Sequence, residues 1–88
     1  MKYRKKPIIV DAVQFTEEME NHPEHWPLLG IIDEGTPETI FAHPTVRTLE
    51  GDMDVEVGDW IITGAYGEKY PCKDFIFRQT YEKVEEHP

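Results

Sequence analysis

The chain has 88 residues, a mass of 10.3 kDa and a formal net charge of −9. A domain of this size buries only about 60 to 65% of the surface of its unfolded form, so residues 1–88 read as a single domain with a small core. A single cysteine excludes an internal disulfide, and the lack of an apolar run of about 18 residues excludes a membrane-spanning helix; together they predict a reduced, cytoplasmic setting and no membrane partner.

Charge is unevenly spread. Between residues 7 and 68 fourteen carboxylates face Arg47 alone, a surface that repels duplex nucleic acid, whose binding rests on cationic neutralisation of phosphates. The cations gather at the two ends, as Lys2, Arg4, Lys5 and Lys6 and then Lys69, Lys73, Arg78 and Lys83. Packed on one edge they would form a basic patch; apart, they are solvated charges that favour solubility. The first residues have the basic character of a signal-peptide start, but the apolar run Ile8-Ile9-Val10 ends at Asp11, too short for a signal core.

Pro7 to Phe15 is predicted to form a strand, with Ile8, Ile9, Val10, Val13 and Phe15 as its apolar residues and Asp11 and Gln14 on a wetter side. Thr16 is the predicted N-cap of a short helix over 17–22, with Glu17 and Glu18 beside its unpaired N–H groups. Pro23 and Pro27 interrupt this segment and leave an irregular stretch seated by Trp26, Leu28 and Leu29. From Gly30 to Pro44, Asp33-Glu34-Gly35 and two prolines bracket a candidate strand, 39–42. So little apolar content predicts an exposed loop or short hairpin, a candidate place for function.

Thr45–Glu50 and Met53–Val57 read as strands around a Glu50-Gly51-Asp52 turn. In the second strand Met53, Val55 and Val57 alternate with Asp52, Asp54 and Glu56, which sets three carboxylates about 6.5 to 7 Å apart on one wet face. Gly58-Asp59 then turns into Trp60-Ile61-Ile62-Thr63, apolar on both faces as a central strand requires. Gly64 and Gly67 suit a hairpin turn, and Glu68–Cys72 returns as a strand that Pro71 confines to an edge. Asp74 is expected to cap one helical turn over Phe75–Gln79, docked by Phe75, Ile76 and Phe77. Thr80–Val84 is expected to close the sheet, with residues 85–88 fraying. The predicted fold is α+β: a strongly bent antiparallel sheet of five or six strands, a partly open small barrel, with one short helix and one helical turn packed on it.

Several of these segments carry a resemblance. Residues 2–15 (Lys-Tyr-Arg-Lys-Lys-Pro-Ile-Ile-Val-Asp-Ala-Val-Gln-Phe), Thr48-Leu49-Glu50-Gly51-Asp52, Gly58-Asp59-Trp60-Ile61-Ile62-Thr63-Gly64, Gly67-Glu68-Lys69-Tyr70-Pro71-Cys72-Lys73 and Ile76-Phe77-Arg78-Gln79-Thr80-Tyr81-Glu82 resemble small proteins encoded by tailed bacteriophages and prophages. The resemblance covers residues 2–15 and 48–82 and leaves the middle of the chain, with His22, His25 and Trp26, outside it. It implies a viral or prophage accessory protein acting in the cytoplasm of a host bacterium, and it brings no chemistry with it.

Residue by residue, no catalytic set assembles. Cys72 is the only thiol; Lys69 and Lys73 beside it would lower its pKa, but a nucleophile also needs a base, and His22, His25, His43 and His87 lie in loop or tail segments without a signature linking them to it. Packing explains a lone cysteine as well. His22-Pro23-Glu24-His25 has a metal-ligand spacing to which His43 would add a third nitrogen, yet Pro23 breaks the regular helix such a site uses, so the stretch reads as a solvated turn. Asp52, Asp54 and Glu56 lack the later glycine and glutamate of a calcium loop and read as a wet strand face that discourages edge pairing. Gly58, Gly64 and Gly67 fit hairpin turns better than a phosphate loop. No enzyme activity, metal or cofactor is therefore expected.

Two binding readings remain. In the first, a small nucleotide-like anion is captured, between subunits of a homodimer, by stacking and neutralisation on Trp60, Tyr66, Lys69, Tyr70, Lys73 and Arg78; the same aromatics would equally serve a small core. In the second, the acidic middle docks on a basic host protein in the manner of a nucleic-acid mimic.

Overall fold

The computed structural model describes residues 1–4, 6–35 and 43–85. Its elements are β1 (Asp11–Gln14), α1 (Glu17–Glu20), a 3-10 helix (Pro23–Leu29), β2 (Ile31–Asp33), β3 (Pro44–Thr48), β4 (Gly51–Asp54), β5 (Trp60–Thr63), β6 (Lys69–Cys72) and α2 (Asp74–Thr80). The expected α+β class is observed, but the single bent sheet of five or six strands is not. The strands form two antiparallel sheets of three, ordered β1-β5-β6 and β2-β3-β4, with no closed barrel among the described residues.

The division arises between β4 and β5. Val55 is buried, and its N–H still donates to Pro44 O at 3.0 Å. The next residues close on themselves: Asp59 N donates to Glu56 O at 3.0 Å, and Glu56 N donates to Asp59 Oδ2 at 3.0 Å. This turn satisfies its own polar groups, redirects the chain and ends the ladder, so β5 starts a second sheet beside β1. The sheets nonetheless share one core of Phe15, Trp26, Ile31, Val46, Val55 and Ile61, with Met19 and Leu29 packed against it.

The N-terminal strand is shorter than its apolar residues suggest. β5 offers only four partners, from Asp11↔Thr63 to Gln14↔Trp60, so residues 7–10 have no ladder to join and Ile8 and Ile9 are exposed. Pairing continues past Gln14 instead: Phe15 N donates to Asp59 O at 2.7 Å and Gly58 N to Phe15 O at 2.8 Å.

Thr16 caps α1 as expected, its Oγ1 accepting from Met19 N at 3.2 Å. The stretch after it is ordered as a 3-10 helix rather than irregular, because Pro23 occupies the first helical turn, where a missing N–H costs nothing. Trp26 does anchor this stretch: it is 1% exposed, its indole donates to Met19 O at 2.6 Å, and its ring meets Phe15 edge-on at 6.0 Å. Leu28 does not, at 82% exposed. Gly30 ends the helix in the left-handed region, φ 75, and leads into β2, which pairs antiparallel with β3; of the exposed loop or short hairpin expected from Gly30 to Pro44, this pairing matches the hairpin. The candidate strand 39–42 lies outside the described residues.

In the second half β5 is central and β6 is an edge strand containing Pro71, both as expected. The alternation in Met53–Val57 is realised at Val55 alone; β4 is an exposed edge strand, and Met53 and Val57 are only partly covered. The closing strand over Thr80–Val84 is absent. Tyr81 stacks on Phe77 at 5.2 Å and its hydroxyl lies 3.2 Å from that of Tyr70, which draws the segment over the face of the sheet and away from its edge.

Candidate functional site

The six residues singled out in the sequence fall into two neighbouring groups. Trp60, Lys73 and Arg78 belong to the junction where α2 lies on β5 and β6. Lys69 and Tyr70 line a groove, and Tyr66 stands at the tip of the β5–β6 hairpin, 97% exposed.

Asp74 organises the junction. Its Oδ1 accepts from Trp60 Nε1 at 2.9 Å, from Arg78 Nε at 3.0 Å and from Gln14 Nε2 at 3.4 Å, which ties β5, α2 and β1 to one carboxylate. The indole hydrogen bond, and then the Arg78 guanidinium, hold this carboxyl below its ordinary range. Trp60 stacks on Phe77 with centroids 4.1 Å apart and planes 12° from parallel, and Phe77 stacks in turn on Tyr81. One face of the indole is thus already covered by the chain's own aromatic ring. Lys73 Nζ lies 3.1 Å from Glu56 Oε2 and 3.1 Å from Asp59 Oδ1. Glu56, and then the buried Asp59, raise its affinity for the proton. Two of the three expected anion-binding cations are therefore engaged with carboxylates.

Lys69 is placed differently. Its ammonium donates to Thr63 Oγ1 at 2.6 Å, and among the described residues it has no carboxylate partner. Its stem lies across Gly30, occupying the space a Cβ there would take. Beside it runs a groove of about 380 Å³, walled by Thr48, Leu49, Glu50 and Met53 of the β3–β4 hairpin and by Glu68, Lys69, Tyr70 and Pro71 of β6 and its approach. The hairpin wall is held by Thr48 Oγ1, which donates to Gly51 O at 2.6 Å and accepts from Glu50 N at 3.1 Å. Glu68 is turned away to the hairpin turn, where its carboxylate accepts from Tyr66 N at 3.0 Å. Burial, followed by the hydrogen bond with Tyr81, pushes the Tyr70 phenol up to about 12, so it stays neutral and keeps its proton to donate.

The remaining candidates have their own partners. Burial first, and then Asp59, raise the Cys72 thiol pKa, the opposite of the lowering that Lys69 and Lys73 suggested; both lysines point their charge elsewhere. The acidic row is dispersed, with Asp52 3.9 Å from Arg47, Asp54 2.7 Å from His43 and Glu56 on Lys73. His43 is thereby committed to β4. His22, Glu24 and His25, in contrast, come together. Some of what was missed has a local signal: Asp74 and Arg78 stand at helical i, i+4 spacing, whereas nothing local announces the Asp74–Trp60 or Asp59–Lys73 pairs. Comparison of the chain with protein-family profiles, curated proteins and solved structures finds no match. Among the described residues no helix is long and apolar enough to cross a membrane.

Proposed function

We propose that this protein is a phage or prophage accessory of the bacterial cytoplasm that binds a small nucleotide-like anion without transforming it, in the groove between β6 and the β3–β4 hairpin. The observation that carries this reading is Lys69, a cation without a carboxylate partner among the described residues, fixed at the wall of a groove that also presents Tyr70, Leu49 and Met53. A volume of 380 Å³ falls in the range of about 300 to 1,000 Å³ typical of small-molecule sites. Lys69 meets a phosphate, the apolar wall takes a base or sugar, and Tyr66 is free to close over the ligand from the hairpin tip. Trp60, Lys73 and Arg78 serve as the frame behind Tyr70, through Asp74, Phe77 and Tyr81. The groove is open on one side, where a second copy of the chain would complete it. The raised Cys72 pKa agrees with a binding role without nucleophilic chemistry.

A thermal-shift screen against mono-, di- and cyclic nucleotides tests the reading. At least one ligand is expected to raise the midpoint, by the equivalent of about 2.7 kcal/mol at a hundredfold excess over its Kd, and Lys69→Ala is expected to remove that gain. No stabilisation by any nucleotide at millimolar concentration would sink the proposal, and an unchanged shift in Lys69→Ala would move the ligand out of this groove.

A second reading, docking on a basic host protein, is favoured by one observation: β4 is an edge strand that presents Asp52 and Asp54 at an exposed surface.

A further inference from the structure

We propose that His22, Glu24 and His25 form a binding site for a divalent transition metal ion of the zinc type. Pro23 creates the arrangement that it was expected to prevent. By starting a 3-10 helix with three residues per turn, it brings positions three apart onto the same side of the helix, so His25 stands one turn along from the capping residue His22. His25 N donates to His22 O at 3.0 Å, and the two imidazole centroids are 6.0 Å apart. Glu24 reaches between them: its Oε1 is 3.0 Å from His22 Nδ1 and 3.8 Å from His25 Nε2, and the three ligand atoms all lie within 4.8 Å of one another.

These spacings suit a metal ion. Zinc bonds of about 2.0 to 2.2 Å in tetrahedral geometry place neighbouring ligand atoms about 3.4 Å apart, a value that the two distances to Glu24 Oε1, 3.0 and 3.8 Å, bracket. The mismatch left over is within the reach of exposed side chains, and all three are exposed. Their backbone is firm, since the adjoining Trp26 is locked in the core with its indole on Met19 O. Two imidazoles and one carboxylate select zinc, nickel, cobalt or copper over magnesium or calcium, which prefer all-oxygen shells. Three protein ligands leave at least one position open to water or to a partner's side chain. The stretch that carries the site brings no cation of its own, since residues 7–46 contain no lysine or arginine. This proposal does not depend on the groove reading, and either can fail alone.

Titration calorimetry with zinc chloride, followed by cobalt absorption spectroscopy, tests it. One zinc ion per chain is expected, with tetrahedral or five-coordinate cobalt bands and shifts of the His22 and His25 ring protons on metal addition; magnesium is expected to leave those protons unmoved. Loss of an outer-shell partner alone costs about 10- to 100-fold in metal affinity, so the double variant His22→Ala/His25→Ala is expected to lose at least about 100-fold. The exposed positions should leave its metal-free melting midpoint at the parent value. Zinc binding as tight in that variant as in the parent, equal response to magnesium, or no binding up to millimolar zinc would each overturn the assignment.

Discussion

Asp74 shows how much one side chain can hold in a small domain. Its carboxylate receives the Trp60 indole, the Arg78 guanidinium and the Gln14 amide, and its ionised form is favoured mainly by the indole hydrogen bond. Because its folded pKa is depressed, its contribution is complete above the ordinary carboxylate value and is lost as pH falls below about 4 toward the folded value. The melting midpoint is therefore expected to drop between pH 5 and pH 3, and Asp74→Asn, which keeps an acceptor for the indole, is expected to flatten that drop. Asp33, lowered by the N–H groups of His43 and then Gly35, adds to the acid loss and remains in the variant. An equally steep drop in Asp74→Asn would remove Asp74 from the acid transition. At this scale the sequence revealed which residues were chemically distinctive but not whom they contact. Trp60 and Arg78 stood out as ligand contacts, yet the acid that engages both is local to Arg78 and fourteen positions from Trp60.

Among the elements, the junction of the 3-10 helix with β2 matters most for the groove. Gly30 takes φ 75, and the Lys69 stem fills the space beside its Cα. Gly30→Ala meets two penalties, a left-handed backbone for an L-residue, about 1 to 2 kcal/mol, and a collision with the Lys69 side chain. A fall in midpoint of about 4 to 8 °C per kcal/mol is expected for a domain of this length, together with weaker nucleotide binding if Lys69 is the phosphate partner. A variant that melts with the parent would show that the turn relaxes freely. The elements that could be read directly were those with strong local signals: the Thr16 cap, the two-faced apolar run of β5 and the edge-confining Pro71. Those that could not were decided by partners. Pro23 looked like a breaker because proline disrupts an α-helix interior, and a 3-10 helix that begins with proline has no such conflict; Pro27 lies inside that helix, and its position there has no such explanation. Ile31 and Ile32 were too short a run, between turn signals, to announce a strand.

For the whole molecule, charge separates the two functional readings. The acidic stretch from residue 7 to residue 68 gives a field that a basic protein would sense at low ionic strength, and screening shortens its reach from about 10 Å at 0.1 M salt to about 3 Å at 1 M. If docking on a basic host protein is the role, immobilised protein should recover basic partners from bacterial lysate at low salt and release them at high salt. Salt-insensitive recovery would argue against electrostatic mimicry. The pairing of the two sheets could not be foreseen, because it depends on the Glu56–Asp59 turn closing upon itself, and a glycine-aspartate pair reads as an ordinary hairpin signal. The two tryptophans sit in different surroundings. Trp26 lies in the core that both sheets share, and Trp60 lies beneath Phe77 of α2. Replacing either with phenylalanine would leave the other as the one tryptophan, excited selectively over the four tyrosines at long wavelength, Trp26 reporting on the joined sheets and Trp60 on the seating of α2. The chain thus carries its own optical means of telling a loosened helix from a lost fold.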